Sequence, residues 1–528
     1  MPVHTPLLLA QVIVDALRVG LVVAMVAMLI GLYRVGRASR RAPTAPRERS
    51  RLIDLASDGA LGLAALASIG ALVVLFTCGY DGGAAKGVAP GFLEVTRDGD
   101  DPICGPLDPS GAAILVEVVH SDDKQRWIEG AASEFMRRCP QIQLRLAALD
   151  DLDAADAILR GDRRPTLWAP LDEVSLRYLA DRWIAQSDEL LLRVNEQRPL
   201  LNSPLVLLLW EDRLRALAMI RGVDVGSDRV RPGFWIDVPC PQVPLAPSGS
   251  PLPDAKLVPG GWREWYESRF PPPAPPAPPP QARTRTSAPL TTAPPAAPPE
   301  DPQAATLRAW GRVKFAATSP AHTTGGAAVL LLMALQYMST TQTGDTAGFA
   351  AALEREADGL RGWLRRCHAG LDAPETSHGL AEMLLDVGPS RLDGVFTYEH
   401  LAVPVLRQMG APGLPELRVL YPQPTLVAHH PAVLLWPDDP QQTAARDAAR
   451  RWLDFLESDA VQRDAVPFGL RPAKLRGSVG SLDLIDNPFR ELRRFGVETD
   501  PVLTEPERPD GRSLHALLEL WQAATGRG

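Results

Sequence analysis

The residues of this chain best suited to chemistry lie at three turns. At each, an apolar run gives way to small hydroxyls, glycine or acid just where a helical pattern begins. The first is VKFAATSPAHTTGG (313–326). The first turn of a helix leaves four backbone amides unpartnered at the positive end of its dipole. Ser319, Thr323 and Thr324 add hydroxyl donors beside Thr318, and Gly325 and Gly326 allow a ligand close to the backbone. Such a turn suits an oxyanion or a carboxylate, although the same residues also serve as an ordinary N-cap with a tight glycine contact. The second turn, Ser121-Asp122-Asp123-Lys124, follows the apolar run 112–120, and either aspartate suits a helix cap. The third is FTYEH (396–400), where Tyr398 and Glu399 either face a ligand or, for Tyr398, cover the edge of a core. Ligands of open α/β sheets settle outside the carboxyl ends of strands, so three such turns together point to a binding site.

Signs of catalysis are thin. The chain has no HExxH, GxSxG, Walker A or GxGxxG motif. His429 and His430 precede Pro431 on a strand-like run, where neighbours point to opposite faces, so they do not share a metal. Cys367-His368 lies at a helix end and offers no nucleophile site. The expectation is a binding protein, not an enzyme, with no catalytic residues, no metal site and no cofactor.

The elements that must position these turns follow from periodicity. Residues 112–120 read as a buried strand, and Trp127, Ile128, Ala131, Ala132, Phe135 and Met136 recur at helical spacing after it. Residues 142–149 alternate like a second strand, so this region reads as a βαβ unit. Further strands are expected at 165–170 and 203–213, and helices at 172–184, from 214, at 346–367, 378–385, 444–456 and 513–524. Residues 391–409 read as strand, turn and helix, and 417–436 as two strands with a bend. With 528 residues, 45% of them apolar, the chain can form more than one core. A net charge of −8 argues against a nucleic-acid partner.

Two runs suit membrane spans, residues 7–33 and the uncharged stretch 59–79. The loop between them carries seven arginines and one glutamate over 34–51, which places it in the cytoplasm and both ends outside. Residues 1–80 are therefore expected to form a pair of transmembrane helices, and 81–111 a flexible tether. Cys78 stands in a faint lipoprotein-like context. Cys104, Cys139, Cys240 and Cys367 would then meet an oxidising environment, and their pairing is open among three arrangements. Residues 270–302 are so rich in proline that they read as an extended or disordered insert, either a spacer or a docking peptide.

Taken in order, VEVVHSDDKQRWIEGAASEF, PTLWAPLDEVSLRYL, RPLLNSPLVLLLWED and KFAATSPAHTTGGAAVLLLMALQY resemble the bacterial extracellular solute-binding proteins, in the subgroup often fused to a von Willebrand factor type A domain. VFTYEHLAVPVL, YPQPTLVAHHPAVLL and AARRWLDFLESDAVQRDAVPFGLRPA continue the likeness, which covers about 112–523 without the proline insert. The resemblance implies an α/β, two-lobed, type II periplasmic-binding-protein fold. Lobe one would comprise 112–201 and 425–528, lobe two 202–424, joined by crossing strands in SPLVLLLW and PTLVAHHPAVLL. It implies ligand contacts at Ser121 and Asp122, at Trp168 and Ala169, at Thr318, Ser319, Thr323, Thr324 and Gly325, and at Tyr398 and Glu399. This sequence departs from the family in its two spans, in lacking the von Willebrand domain, and in reading HTTGG where relatives often carry an SNSG-like run.

The expectation is thus a membrane-anchored protein of the bacterial inner membrane, facing the periplasm or the exterior. It would capture a small, anionic solute for an ABC-type permease or a sensor. The alternative is a ligand-free interaction protein that scaffolds a membrane complex through this fold and its proline-rich segment.

Overall fold

A computed structural model describes residues 102–104, 112–221, 261–271, 301–340, 348–368, 371–372, 379–409, 416–474 and 477–526. The expected spans in 1–80, nearly all of the tether, Cys78, Cys240 and the body of the proline insert lie outside the described residues. Among the described residues no helix is long and apolar enough to cross a membrane.

In chain order the strands are β1 (Ile114–His120), β2 (Ile142–Ala148), β3 (Leu167–Ala169), β4 (Arg198–Pro199), β5 (Leu201–Trp210), β6 (Phe315–Ala316), β7 (Leu371–Asp372), β8 (Gly394–Tyr398), β9 (Leu417–Leu420), β10 (Val427–Ala428), β11 (Pro431–Leu434) and β12 (Arg471–Pro472). They form two sheets. The first has the order β2-β1-β3-β11-β4. β1 and β2 are parallel, from Ile114 opposite Ile142 to His120 opposite Ala148. Parallel neighbours need a crossover, and the helix Gln125–Arg138 supplies it while burying Trp127, Ile128, Ala132 and Phe135. A disulfide joins Cys104 to Cys139 at the end of this helix. Cys367 is also disulfide-bonded.

The second sheet has the order β10-β5-β8-β6-β7, with β9 and β12 also on β5. β5 is its spine, ten residues of which all but Asn202 are buried. Its side chains alternate between two cores: Val206, Leu208 and Trp210 enter one, and Leu205, Leu207 and Leu209 the other. Full burial of such side chains is worth about 1.5–3 kcal/mol each, enough to fix this strand's register.

Two chain segments cross between the sheets. One passes from β4 in the first sheet to β5 in the second, through Leu200, whose amide donates to the His430 carbonyl. The other returns from β10 to β11 through His429 and His430, where His430 takes a φ of 41°. A positive φ is uncommon for a side-chain-bearing residue and marks a bend held by its surroundings.

Three features differ from the sequence expectation. A helix, Asp151–Leu159, follows β2. Residues expected in the first lobe instead support the second sheet: β12 pairs with β5, and Val466, Phe489, Leu492, Phe495 and Val497 share a core with β5, β8 and β9. This stretch joins short helical turns through scattered apolar anchors, so it has no period to read. The final helix, Gly511–Thr525, packs on both Glu173–Ile184 and Gly348–His368 and so belongs to neither sheet alone. Leu514, Leu517, Leu518 and Trp521 are buried on it as expected.

Candidate functional site

The carboxyl ends of β1 and β3 are tied by one side chain. The buried Lys124 ammonium donates to the carbonyls of Ala169 (2.7 Å) and Pro170 (3.0 Å). Ser121 caps the turn: its hydroxyl accepts from the Asp123 amide at 3.2 Å and donates to the Asp123 carboxylate at 3.0 Å. Burial pulls Lys124 below the ordinary lysine range, and burial together with Asp122 and Asp151 pushes Asp123 up. Asp151, at the start of the helix after β2, completes this side. Its Oδ2 accepts from the Leu171 amide at 2.8 Å, and burial raises its carboxyl to about 6.

Facing it from the second sheet is the helix Thr324–Thr340, which follows β6. Thr323 caps it, accepting from the Gly326 amide at 3.0 Å. The Thr323 hydroxyl is also bonded to Thr318 Oγ1 (2.6 Å) and the Ser319 carbonyl (3.1 Å). Thr324 reaches across the gap: its hydroxyl donates to Asp151 Oδ2 at 2.8 Å and lies 3.0 Å from Ser175 Oγ. A carboxylate of the first sheet's side therefore stands at a helix N-terminus of the second, where a negative charge is favoured. Gly326 is a packing glycine, since a Cβ there would lie 2.4 Å from the Thr318 carbonyl oxygen. Gly325 is different: a Cβ there would stand 3.5 Å from the Tyr398 ring.

Tyr398, at the end of β8, begins an aromatic wall. Its ring stacks on His400 at 6.2 Å between centroids, and His400 meets the edge of His430 at 5.4 Å. His400 Nδ1 is 2.8 Å from Ser203 Oγ on the crossing strand β5. Burial pushes Tyr398 well above the ordinary phenol range, helped by Asp172. Burial and Lys124 hold His400 down at about 3, and His430 is lowered by the same causes. Both imidazoles are neutral at physiological pH.

Buried polar atoms around these strand ends have no hydrogen-bond partner: Tyr398 OH, His400 Nε2, both ring nitrogens of His430, Asp151 Oδ1 and Asp122 Oδ1. Trp168 Nε1 and His120 Nε2 are in the same condition. Orphaned buried groups are few in folded proteins, and each costs about 1–3 kcal/mol.

The sequence-expected residues thus fall into groups. Thr324, Gly325 and Tyr398 come together, with Thr324 bonded across the gap to the first sheet's side. Asp122 stands beside them through its charge on Asp123. Ser121, Ser319 and Thr323 cap turns, and Thr318 accepts from Thr323. Trp168 lies in the core, and Ala169 contributes its carbonyl to Lys124. Glu399 is taken up elsewhere. Its carboxylate is held by Arg471 at 2.6 and 2.8 Å, and it also accepts from the Tyr421 hydroxyl. His429 turns away from His430, to Asn202 at 2.8 Å.

Sequence reasoning missed Asp151, His400 and His430 as members of this site. The rule that found Ser121, a polar turn at a strand's carboxyl end opening a helix, also applies to Asp150-Asp151 after β2. The histidines gave no comparable signal. The turn expected to receive an oxyanion stands beside acids of the first sheet's side. Asp122, Asp123 and Asp151 surround one lysine, while the Thr324 hydroxyl donates to Asp151 and the Thr323 hydroxyl to Thr318. No group of acids, histidines and cysteines that could hold a metal ion occurs among the described residues.

No family model matches the chain, and no curated protein matches it in sequence. Among solved structures it is similar to a substrate-binding protein of an ABC transporter from Agrobacterium tumefaciens, at 12% identity over 78% of this chain and 94% of that one, with a TM-score of 0.39. It is also similar to a ferric binding protein from Campylobacter jejuni, at 7% identity over 78% and 99%, with a TM-score of 0.41. A third is the periplasmic binding protein AfuA from Actinobacillus pleuropneumoniae, at 11% identity over 78% and 99%, with a TM-score of 0.40. Likeness at this level says nothing about activity or ligand, and both rest on the geometry of the chain itself.

Proposed function

We propose that this chain is an extracytoplasmic solute-binding protein, anchored through residues 7–33 and 59–79, that holds a small solute where its two sheets face each other. It would deliver that solute to an ABC-type permease or report it to a sensor. One observation carries the reading: buried polar atoms of Asp151, Tyr398, His400 and His430 stand without partners at strand ends and crossings, some from each sheet's side. A solute that supplies those partners recovers free energy that the protein alone forgoes. The two crossing segments supply a hinge for opening and closing around it. Native mass spectrometry of the full-length chain, incubated with a panel of small solutes, tests this. One bound molecule per chain is expected; a bare chain across the whole panel would sink the proposal.

A second reading, an interaction protein without a ligand, has one observation in its favour. Thr324 and Asp151 already bond directly across the gap, and one apolar core runs from Val119 and Trp168 to Phe315 and Phe396. It predicts that deleting residues 272–300 abolishes capture of membrane partners while no solute binds.

A further inference from the structure

The charges at this site point to a kind of solute that the sequence did not suggest. We infer that the solute is a small organic cation, carrying an ammonium or amidinium group, and this inference rests on the solute-binding reading above.

The charge balance comes first. Asp122 and Asp151 each keep one carboxylate oxygen without a partner, whereas burial and these two acids push Asp123 up to about 8 and keep it protonated. The one lysine among them directs its ammonium to two backbone carbonyls. The next acid, Asp172, is already matched by Arg508 at 3.4 Å. An added anion would meet the open oxygens of Asp122 and Asp151; an added cation would find acceptors there. Burial keeps His400 and His430 neutral, so they bring no positive charge to an anion.

The donors tell the same story. A bound oxyanion needs free N–H and O–H groups. The Thr323 hydroxyl donates to Thr318 Oγ1 and the Ser319 carbonyl, and that of Thr324 donates to Asp151. What remains open is a wall of π faces with polar tips: the Tyr398 ring and hydroxyl, His400 Nε2 and the His430 ring nitrogens, where a neutral imidazole offers one lone pair beside its one N–H. Tyr398 also feels the charges of Asp123, Asp151 and Asp172, which places the wall next to the acids. Aromatic faces beside carboxylates suit an organic ammonium. A bare metal ion is the weaker candidate, because no three ligating side chains converge among the described residues.

Isothermal titration calorimetry on the full-length chain tests this with ethylamine, 1,4-diaminobutane and agmatine against phosphate, succinate and manganese(II). Saturable binding of an amine is expected, with at least a tenfold loss of affinity in Asp151→Asn. Asp122→Asn, at a half-buried position, guards against a folding defect and should weaken binding in the same direction while its thermal melt stays unchanged. Binding of phosphate, succinate or manganese(II) in place of the amines overturns the cation assignment and leaves the solute-binding reading standing. Silence from every probe overturns the cation assignment, and only silence from the wider panel above overturns the solute-binding reading as well.

Discussion

Thr324 donates its hydroxyl to Asp151 across 2.8 Å, joining the first turn of a helix behind the second sheet to the helix that follows β2 in the first. Asp151 also accepts from the Leu171 amide, so one buried carboxylate fixes both a loop of its own side and the approach of the other. Thr324→Val removes the hydroxyl without changing its volume. Urea unfolding should report a loss of about 1–3 kcal/mol, the cost of leaving a buried acceptor short of a donor. A change below about 0.3 kcal/mol, small beside that cost, would mean that the contact does not hold the two sides together.

The two neighbouring glycines separate packing from recognition. Gly326→Ala would drive a Cβ to 2.4 Å from the Thr318 carbonyl oxygen and should destabilise the fold by about 1–3 kcal/mol. Gly325→Ala would meet Thr318 Oγ1 at 3.4 Å and the Tyr398 ring at 3.5 Å, a contact the fold tolerates. Its thermal melt should match the wild type while solute affinity falls. Equal effects of both substitutions on stability would place Gly325 in the packing and outside the site.

The buried pair of Glu399 and Arg471 joins the end of β8 to β12. Arg471→Met strands a buried carboxylate and should cost about 3–5 kcal/mol in denaturant unfolding. The double variant Glu399→Met with Arg471→Met should recover much of that loss, since neither charge is then left alone. If the double variant is as unstable as the single one, the pair is not the source of the cost.

Stability should also depend on pH through the buried imidazoles. Burial, then Lys124, lowers His400 to about 3 from an unfolded value near 6.5. The unfolded chain therefore binds a proton below about pH 6.5 that the folded chain refuses. The associated stability is complete above that pH and is lost as pH falls towards the folded value. His120, lowered to about 4, acts in the same direction, whereas Asp151, raised to about 6, gains stability on acidification and opposes it. Comparison with a variant isolates one group. The stability advantage of the wild type over His400→Gln should shrink by about 2 kcal/mol between pH 7 and pH 5. An advantage independent of pH would show that His400 is not held neutral.

Much of the first sheet was legible because its signals are local. The run 112–120, the helical spacing of Trp127 to Phe135 and the alternation at 142–149 each appear within one element, and the structure joins them as β1, helix and β2. Tyr398 was legible as a strand-end residue and Thr324 as a helix-start residue by the same rule. Glu399 shows where that rule stops, because its partner Arg471 lies 72 residues further on and no local pattern announces the pair. The His400–His430 contact is hidden for the same reason: it depends on a strand returning from the second sheet to the first. Asp151 is hidden in the same way: it belongs to the opposite side, yet it reaches the helix N-terminus that was expected to meet the ligand.

The central claim is that the facing strand ends of two sheets enclose a solute. A thermal-shift survey reads it most directly, using the full-length chain and its Tyr398→Phe variant against amines, amino acids, sugars, oxyanions and metal salts. A solute at about 100 times its dissociation constant stabilises the folded state by about 2.7 kcal/mol. The account predicts a melting temperature several degrees higher for the wild type with one class of solute, and a smaller rise for Tyr398→Phe. A melting temperature that stays flat across the whole panel, or a rise that Tyr398→Phe retains in full, would contradict it.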